Sequence, residues 1–250
     1  MSTQGYTHGR FVWRELMTTN AAKARDFYGA LFGWTFDEID MGGGRKYTLI
    51  KLGEKQIGGL FDHHGPTQWV SYVSVADVDA VARMAVELGG KVPRGPADIP
   101  NVGRFAIVQD FAGALIVAFH HRELDPTPEP ARPGEFCWET LGTPDAARAK
   151  AFYGKLFGWT TMKGWGGTAT MFTTDDSAKG QVAEIQQNKE FKPAWLPHVR
   201  VEKLVPTCDR VSELGGQVPA PLFAVPGVGR IAVIADPTGG HMSIFEPAKR

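Results

Sequence analysis

The chain has 250 residues, with 27 basic and 27 acidic side chains and no net charge at pH 7. That balance points away from nucleic acid and from anionic membranes as partners. No apolar run approaches membrane-spanning length, and the opening MSTQGYTHGRF lacks the apolar stretch of a secretory signal.

The first predicted element is a strand, FVWREL. Asn20 then caps a helix, AAKARDFYGALF, whose Ala24, Phe27, Tyr28 and Leu31 recur at helical spacing, and Gly33 stops it. Three short strands follow near 34–39, 47–52 and 56–61, with Gly42, Gly43 and Gly44 making the first hairpin turn. The pattern then restarts. WVSYVSV reads as a strand; Val78, Val81, Ala85 and Leu88 line a helix ending at Gly89-Gly90; strands near 91–94, 104–109 and 115–119 complete it. Pro126, Pro128, Pro130 and Pro133 then mark an extended linker, because proline removes a donor and disfavours helix before it.

After the linker the text repeats. GRFVWRELMTTNAAKARDFYGALFGW (9–34) returns as GEFCWETLGTPDAARAKAFYGKLFGW (134–159), with fifteen of 26 positions identical. LGGKVP returns as LGGQVP, PNVGR as PGVGR, and QDFAGALIVAF as ADPTGGHMSIF. Each copy is therefore βαβββ twice, and the chain holds four such modules. The expected architecture is α+β: one domain over 1–121, a linker over 122–133 and a second domain over 134–250. A single helix shields only one face of each module's sheet. Two modules side by side then leave an open trough with apolar walls, the shape of a small-molecule cavity. Cys137 and Cys208 lie in apolar-patterned segments and read as buried reduced thiols, so the expected compartment is the cytoplasm.

FYGALFGW and FYGKLFGW after a first strand, with GR…DPTGG before a last one, resemble the vicinal oxygen chelate superfamily. Its members include glyoxalase I, extradiol dioxygenases, and bleomycin and fosfomycin resistance proteins. The resemblance covers nearly the whole chain outside the linker and termini, and the tandem form is similar to bacterial glyoxalase/bleomycin resistance/dioxygenase proteins. It implies two glyoxalase-like domains. In metal-using relatives it implies His, Gln or Glu ligands from the first and last strands of each module. The corresponding positions here are Trp13, Val70, Val117, Trp138, Leu196 and Ser243, and only Glu184 on VAEI offers a carboxylate, with its counterpart near Gly59. The usual ligand quartet is absent from both copies, so no cofactor is expected; a divalent metal would need a site out of the usual register.

Strand alternation places Phe11, Trp13 and Glu15 on one face in copy one, and Phe136, Trp138 and Thr140 in copy two. The two tryptophans either stack on a flat ligand or fill the trough themselves. Glu15 is either a base or anchor in an apolar wall, or a rim partner of Arg14, Arg45 or Lys46. His198 and His241 both face the trough, displaced in opposite directions along adjacent parallel strands. They stand roughly 13 Å apart at the ordinary strand rise, too far to share one ion with ligands at about 2.1 Å. Tyr72 holds the copy-one position of His198. Arg200 either anchors a ligand anion or snorkels to the rim. The ligand-binding candidates are thus Trp13, Glu15, Tyr72, Trp138, Thr140, Glu184, His198, Arg200 and His241, with copy two the richer half. His63-His64 and His120-His121 sit at strand ends and read as solvated. The expected function is binding of a small organic molecule without the usual metal. The alternatives are a metal-dependent glyoxalase-like lyase or dioxygenase with an off-register site, and a non-catalytic regulatory or partner-binding protein that acts through its surface. The chain works either as a monomer, by pairing its own copies, or as a homodimer.

Overall fold

The computed structural model of the chain describes residues 6–42, 44, 46–125, 129–164 and 169–249. The first copy runs β1 (Phe11–Thr18), α1 (Ala21–Phe32), β2 (Thr35–Asp40), β3 (Lys46–Leu52) and β4 (Lys55–Asp62). It continues with β5 (Gln68–Ser74), α2 (Val78–Glu87), β6 (Lys91–Ile99), β7 (Gly103–Gln109) and β8 (Leu115–His121). The second copy repeats the series. Its first module is β9 (Phe136–Thr143), α3 (Ala146–Phe157), β10 (Thr160–Lys163), β11 (Thr170–Thr173) and β12 (Gln181–Gln187). Its second is β13 (Ala194–Arg200), α4 (Leu204–Glu213), β14 (Phe223–Val225), β15 (Gly229–Ala235) and β16 (His241–Pro247). Four βαβββ modules are therefore present, as the repeat predicts. Of the predicted features, Gly43, Arg45 and the linker prolines Pro126 and Pro128 lie outside the described residues.

The helix ends follow the sequence signals. The Asn20 side chain accepts from the Lys23 N–H, and Gly33 adopts φ 71°, the left-handed stop open to glycine. Asp77 and Asp145 cap α2 and α3 in the same way as Asn20 caps α1. For α4, Lys203 makes no side-chain cap. Glu246 on β16 accepts from the Leu204 N–H at 2.6 Å instead, a tertiary substitute for a local cap.

Each copy contributes one eight-stranded sheet, ordered β2-β3-β4-β1-β5-β8-β7-β6 and β10-β11-β12-β9-β13-β16-β15-β14. Within the modules β1 runs parallel to β4, β5 to β8, β9 to β12 and β13 to β16.

Two compact units form, and neither is a sequence copy. One combines the chain through Val12 with Ser71–Glu129 and Glu139–Trp195; the other combines Trp13–Val70 with Pro130–Trp138 and the chain from Leu196 on. Within the first, α2 and α3 share one apolar cluster, including Val81, Ala85, Phe152 and Tyr153. Within the second, α1 and α4 share another, including Phe27, Tyr28, Leu204 and Val211.

The repeated FYG…FGW segment builds these clusters. Tyr28 donates to Asp236 Oδ2 at 2.8 Å and accepts from Trp69 Nε1 at 3.0 Å. Tyr153 donates to Asp110 Oδ2 at 2.9 Å and accepts from Trp195 Nε1 at 3.0 Å. Oδ1 of each aspartate gathers the N–H groups of its own turn, Ala112, Gly113 and Ala114 in one case and Thr238 and Gly240 in the other. Burial, and then the adjacent aspartate charge, hold both phenols well above their ordinary pKa. Trp34 Nε1 donates to Gly134 O at 2.8 Å and Trp159 Nε1 to Gly9 O at 2.7 Å.

Phe11 and Phe136 depart from the alternation expected of them. Phe11 packs on Trp159 and Trp195, and Phe136 on Trp34 and Trp69. The starts of β1 and β9 are claimed by these aromatic clusters rather than by a ligand face.

Candidate functional site

The face of each sheet turned away from the helices is fixed by the core residues that alternate with it. Leu16, Leu141 and Val199 belong to the apolar clusters, so Glu15, Thr140 and His198 point the other way. On this face the two copies carry the same rung with different chemistry. In copy one, Leu49 pairs with Gly59 and Gly59 with Glu15, across β3, β4 and β1. In copy two, Met171 pairs with Glu184 and Glu184 with Thr140, across β11, β12 and β9. Gly59 is thus the counterpart of Glu184, as the sequence suggests. The carboxylate has moved one strand along the rung.

In copy one the carboxylate is occupied. Trp13 Nε1 donates to Tyr47 Oη at 3.1 Å, and the Tyr47 hydroxyl is hydrogen-bonded to Glu15, which is buried. Burial, reinforced by the Glu15 charge, raises the Tyr47 pKa well above that of a free phenol. Of the rim partners considered above, Lys46 pairs with Glu38 at 2.8 Å, and Arg45 lies outside the described residues. A Cβ on Gly59 would lie 1.9 Å from Tyr47 Oη, so the glycine makes room for the phenol. Sequence reasoning missed Tyr47. The signal was available in Gly59 on the neighbouring strand β4, since a glycine inside a strand marks a close approach.

In copy two, Thr140 is buried and Glu184 half-buried. Burial raises the Glu184 pKa, and the Gln186 amide approaches its Oε1 at 3.5 Å. These two residues the structure brings together. Trp138, two residues before Thr140 on β9, is half-buried. Tyr72 stands elsewhere, buried beside Val117 in register and edge-on to Phe119 at 5.7 Å. His198 is buried opposite Ser243, so it is offset from His241 by two residues along the paired strands and not by the four expected above; the register runs two residues away from the one assumed. His241 is exposed, its Nδ1 3.0 Å from Gly239 O, so its ring is held at the strand entrance. Arg200 donates to Ala131 O of the linker at 2.7 Å, a contact that occupies one guanidinium nitrogen. His120, read above as a solvated strand end, places Nδ1 2.9 Å from Val75 O and stacks on Tyr6.

Burial lowers the His198 pKa to about 3. The folded state therefore refuses a proton that the unfolded chain accepts from about pH 6.5 downward, and stability is lost as pH falls from there towards 3. Between pH 7.5 and 5 this group is expected to remove about 2 kcal/mol. Urea unfolding of H198Q should show a pH profile flatter than wild type by that amount.

A sequence profile of the Glyoxalase/Bleomycin resistance protein/Dioxygenase superfamily matches residues 10–118 and 138–243. The chain belongs to this superfamily. Over 253 residues it is 29% identical to "Putative glyoxylase CFP32" of Mycobacterium tuberculosis, with 97% of each chain covered. It is 27% identical over 262 residues to "Anthracycline biosynthesis protein DauV" of Streptomyces sp. (strain C5), covering 96% of this chain and 94% of that one. Among solved structures it is similar to the Mn(II)-bound glyoxalase from Novosphingobium aromaticivorans. That match has a TM-score of 0.66 and 14% identity and covers 96% of this chain and 82% of the other. The 2,3-dioxygenase LapB from Pseudomonas sp. KL28 matches with the same TM-score and identity, covering 98% and 94%. At that identity the structures speak for the fold alone. An activity of a superfamily member with these relatives would fall among glyoxalase-like lyases and dioxygenases.

The positions read above as metal-ligand slots hold side chains without an imidazole or a carboxylate. Indoles stand at 13 and 138, and Val70, Val117 and Leu196 offer no donor atom. Among the described residues, no group of three or more His, Cys, Asp or Glu side chains is gathered as an ion site. No helix among them is long and apolar enough to cross a membrane.

Proposed function

We propose that the protein binds a small organic molecule on the helix-free face of the copy-two sheet, with Glu184 as the polar anchor and without the superfamily's usual metal. The carrying observation is the contrast along one rung. The copy-one carboxylate is already engaged by Tyr47, whereas Glu184 is half-buried, desolvated, and approached among the described residues by one amide at the limit of hydrogen-bond distance. A carboxylate taken partly out of water gains from a ligand donor. Buried Thr140 and Met171 flank it along the rung. A panel of aromatic, thiol and aldehyde metabolites is expected to contain a compound that raises the melting temperature. E184Q should weaken its binding about tenfold, the loss of roughly 1.4 kcal/mol from one charge-assisted hydrogen bond. Protein purified without chelator or tag is expected to lack a stoichiometric divalent ion. A panel that leaves the melting temperature unmoved throughout overturns the reading.

A second reading has one observation in its favour. Burial moves Glu184 towards the pKa range of a general base, as a lyase that removes a carbon-bound proton requires. It predicts turnover that survives chelation and falls by about 100-fold or more in E184Q.

A further inference from the structure

We propose that one-electron oxidation of this chain ends on Tyr28, Tyr47 and Tyr153 as neutral phenoxyl radicals, each losing its proton to a carboxylate already hydrogen-bonded to it. Three of the chain's five tyrosines share one arrangement. The phenol oxygen accepts an indole N–H, and the phenol donates to a carboxylate. Trp69, Tyr28 and Asp236 are linked at 3.0 and 2.8 Å, and Trp195, Tyr153 and Asp110 at 3.0 and 2.9 Å. Trp13 Nε1 meets Tyr47 Oη at 3.1 Å, and that hydroxyl is bonded to Glu15. Duplication accounts for the first two triads, which are counterparts. It does not account for the third, because the rung pairing puts Ala169 at the position of Tyr47.

The chemistry follows from charge. A one-electron oxidant of the metal-complex class that takes an electron from one of these indoles leaves a radical cation beside a phenol whose other partner is a buried carboxylate. One electron then passes from the phenol to the indole, the Oη–H bond breaks, and the proton moves to the carboxylate oxygen. The products are a neutral indole, a neutral phenoxyl and a neutral carboxylic acid. A cation and a buried anion are both discharged, and each would otherwise bear a desolvation cost. Burial and the adjacent charge hold all three phenols well above their ordinary pKa, so the proton leaves with the electron and not before it. In each apolar cluster a second indole stands near the first. Ring centres are 6.1 Å apart for Trp34 and Trp69 and 6.0 Å for Trp159 and Trp195, and none of the four is more than 4% exposed. Tyr6 differs from the three triads, since its ring stacks on His8 and His120.

Flash photolysis with a ruthenium polypyridyl complex and an electron acceptor supplies the oxidant, and electron paramagnetic resonance of frozen samples reads the product. The folded protein is expected to give a phenoxyl signal that narrows when tyrosine rings are deuterated and not when indoles are. Its formation, followed by transient absorption, should be independent of buffer-base concentration, because the proton acceptor is internal. In urea-unfolded protein the acceptor is lost, and the rate should climb with buffer base. Y6F should leave the yield unchanged. Y47F, which keeps the ring on the sheet face, should lower it, and Y28F and Y153F should each lower it too. Where a core variant fails to fold, the labelling and the buffer dependence of wild type decide the matter. A signal that stays on the indoles, a signal lost in Y6F, or a formation rate that climbs with buffer base in the folded protein overturns the proposal.

Discussion

Residues 1–129 and 130–250, produced as separate chains, are each expected to fail to fold as a monomer, and to regain a cooperative unfolding transition when mixed. The reason lies in how the cores are drawn. The α1 helix buries its apolar stripe with α4, and α2 buries its own with α3, so each cluster takes one helix from each copy. Tyr28 finds its acceptor in Asp236, and Trp34 donates to Gly134; Tyr153 finds Asp110, and Trp159 donates to Gly9. A lone copy keeps its sheet order but leaves two amphipathic helices without their partners, together with buried donors that have lost their acceptors. That deficit exceeds the roughly 5–15 kcal/mol by which domains are stable. Circular dichroism melts with sizing of each half, alone and at equimolar ratio, check it. A half that melts cooperatively as a monomer, at the temperature of the intact chain, refutes it.

Tyr153→Phe is expected to cost about 3 kcal/mol, because removing one hydroxyl strands both Asp110 Oδ2 and the Trp195 N–H in the core. For a chain of this size the melting temperature should fall by roughly 6–12 °C. Tyr28→Phe, which strands Asp236 and Trp69 in the same way, should cost a similar amount. The two sites share no partner, so the double variant should lose close to the sum in urea unfolding. A loss under about 1 kcal/mol in either single variant would show that the aspartate is satisfied by its turn N–H groups alone.

These expectations separate what the residues of the sequence could reveal from what they could not. The helices were legible because their signals are local: Asn20 three residues before the N–H it accepts from, Gly33 at the left-handed stop, and Ala24, Phe27 and Tyr28 at helical spacing. The strands were legible from turn glycines and alternation, and the Gly59–Glu184 correspondence from the repeat. The fate of Phe11 and Phe136 was not, because alternation assigns a side chain to a face but is silent on which aromatic cluster lies beyond it. Nor was the partner of Glu15, since Tyr47 reaches it across two strands and only register brings them together. His198 and His241 look alike in sequence, yet one lies mid-strand and buried while the other opens its strand and meets solvent. The repeat marks two equal copies, whereas packing joins α1 to α4 and α2 to α3.

The tyrosine–aspartate pairs carry that division into inheritance. Each phenol is matched to a turn in the opposite copy, so a change at position 28 is compensated at 236 and not at 110, and a change at 153 at 110 and not at 236. Among descendants of this chain, covariation should therefore run crosswise between the duplicates, and neither duplicate is free to drift by itself.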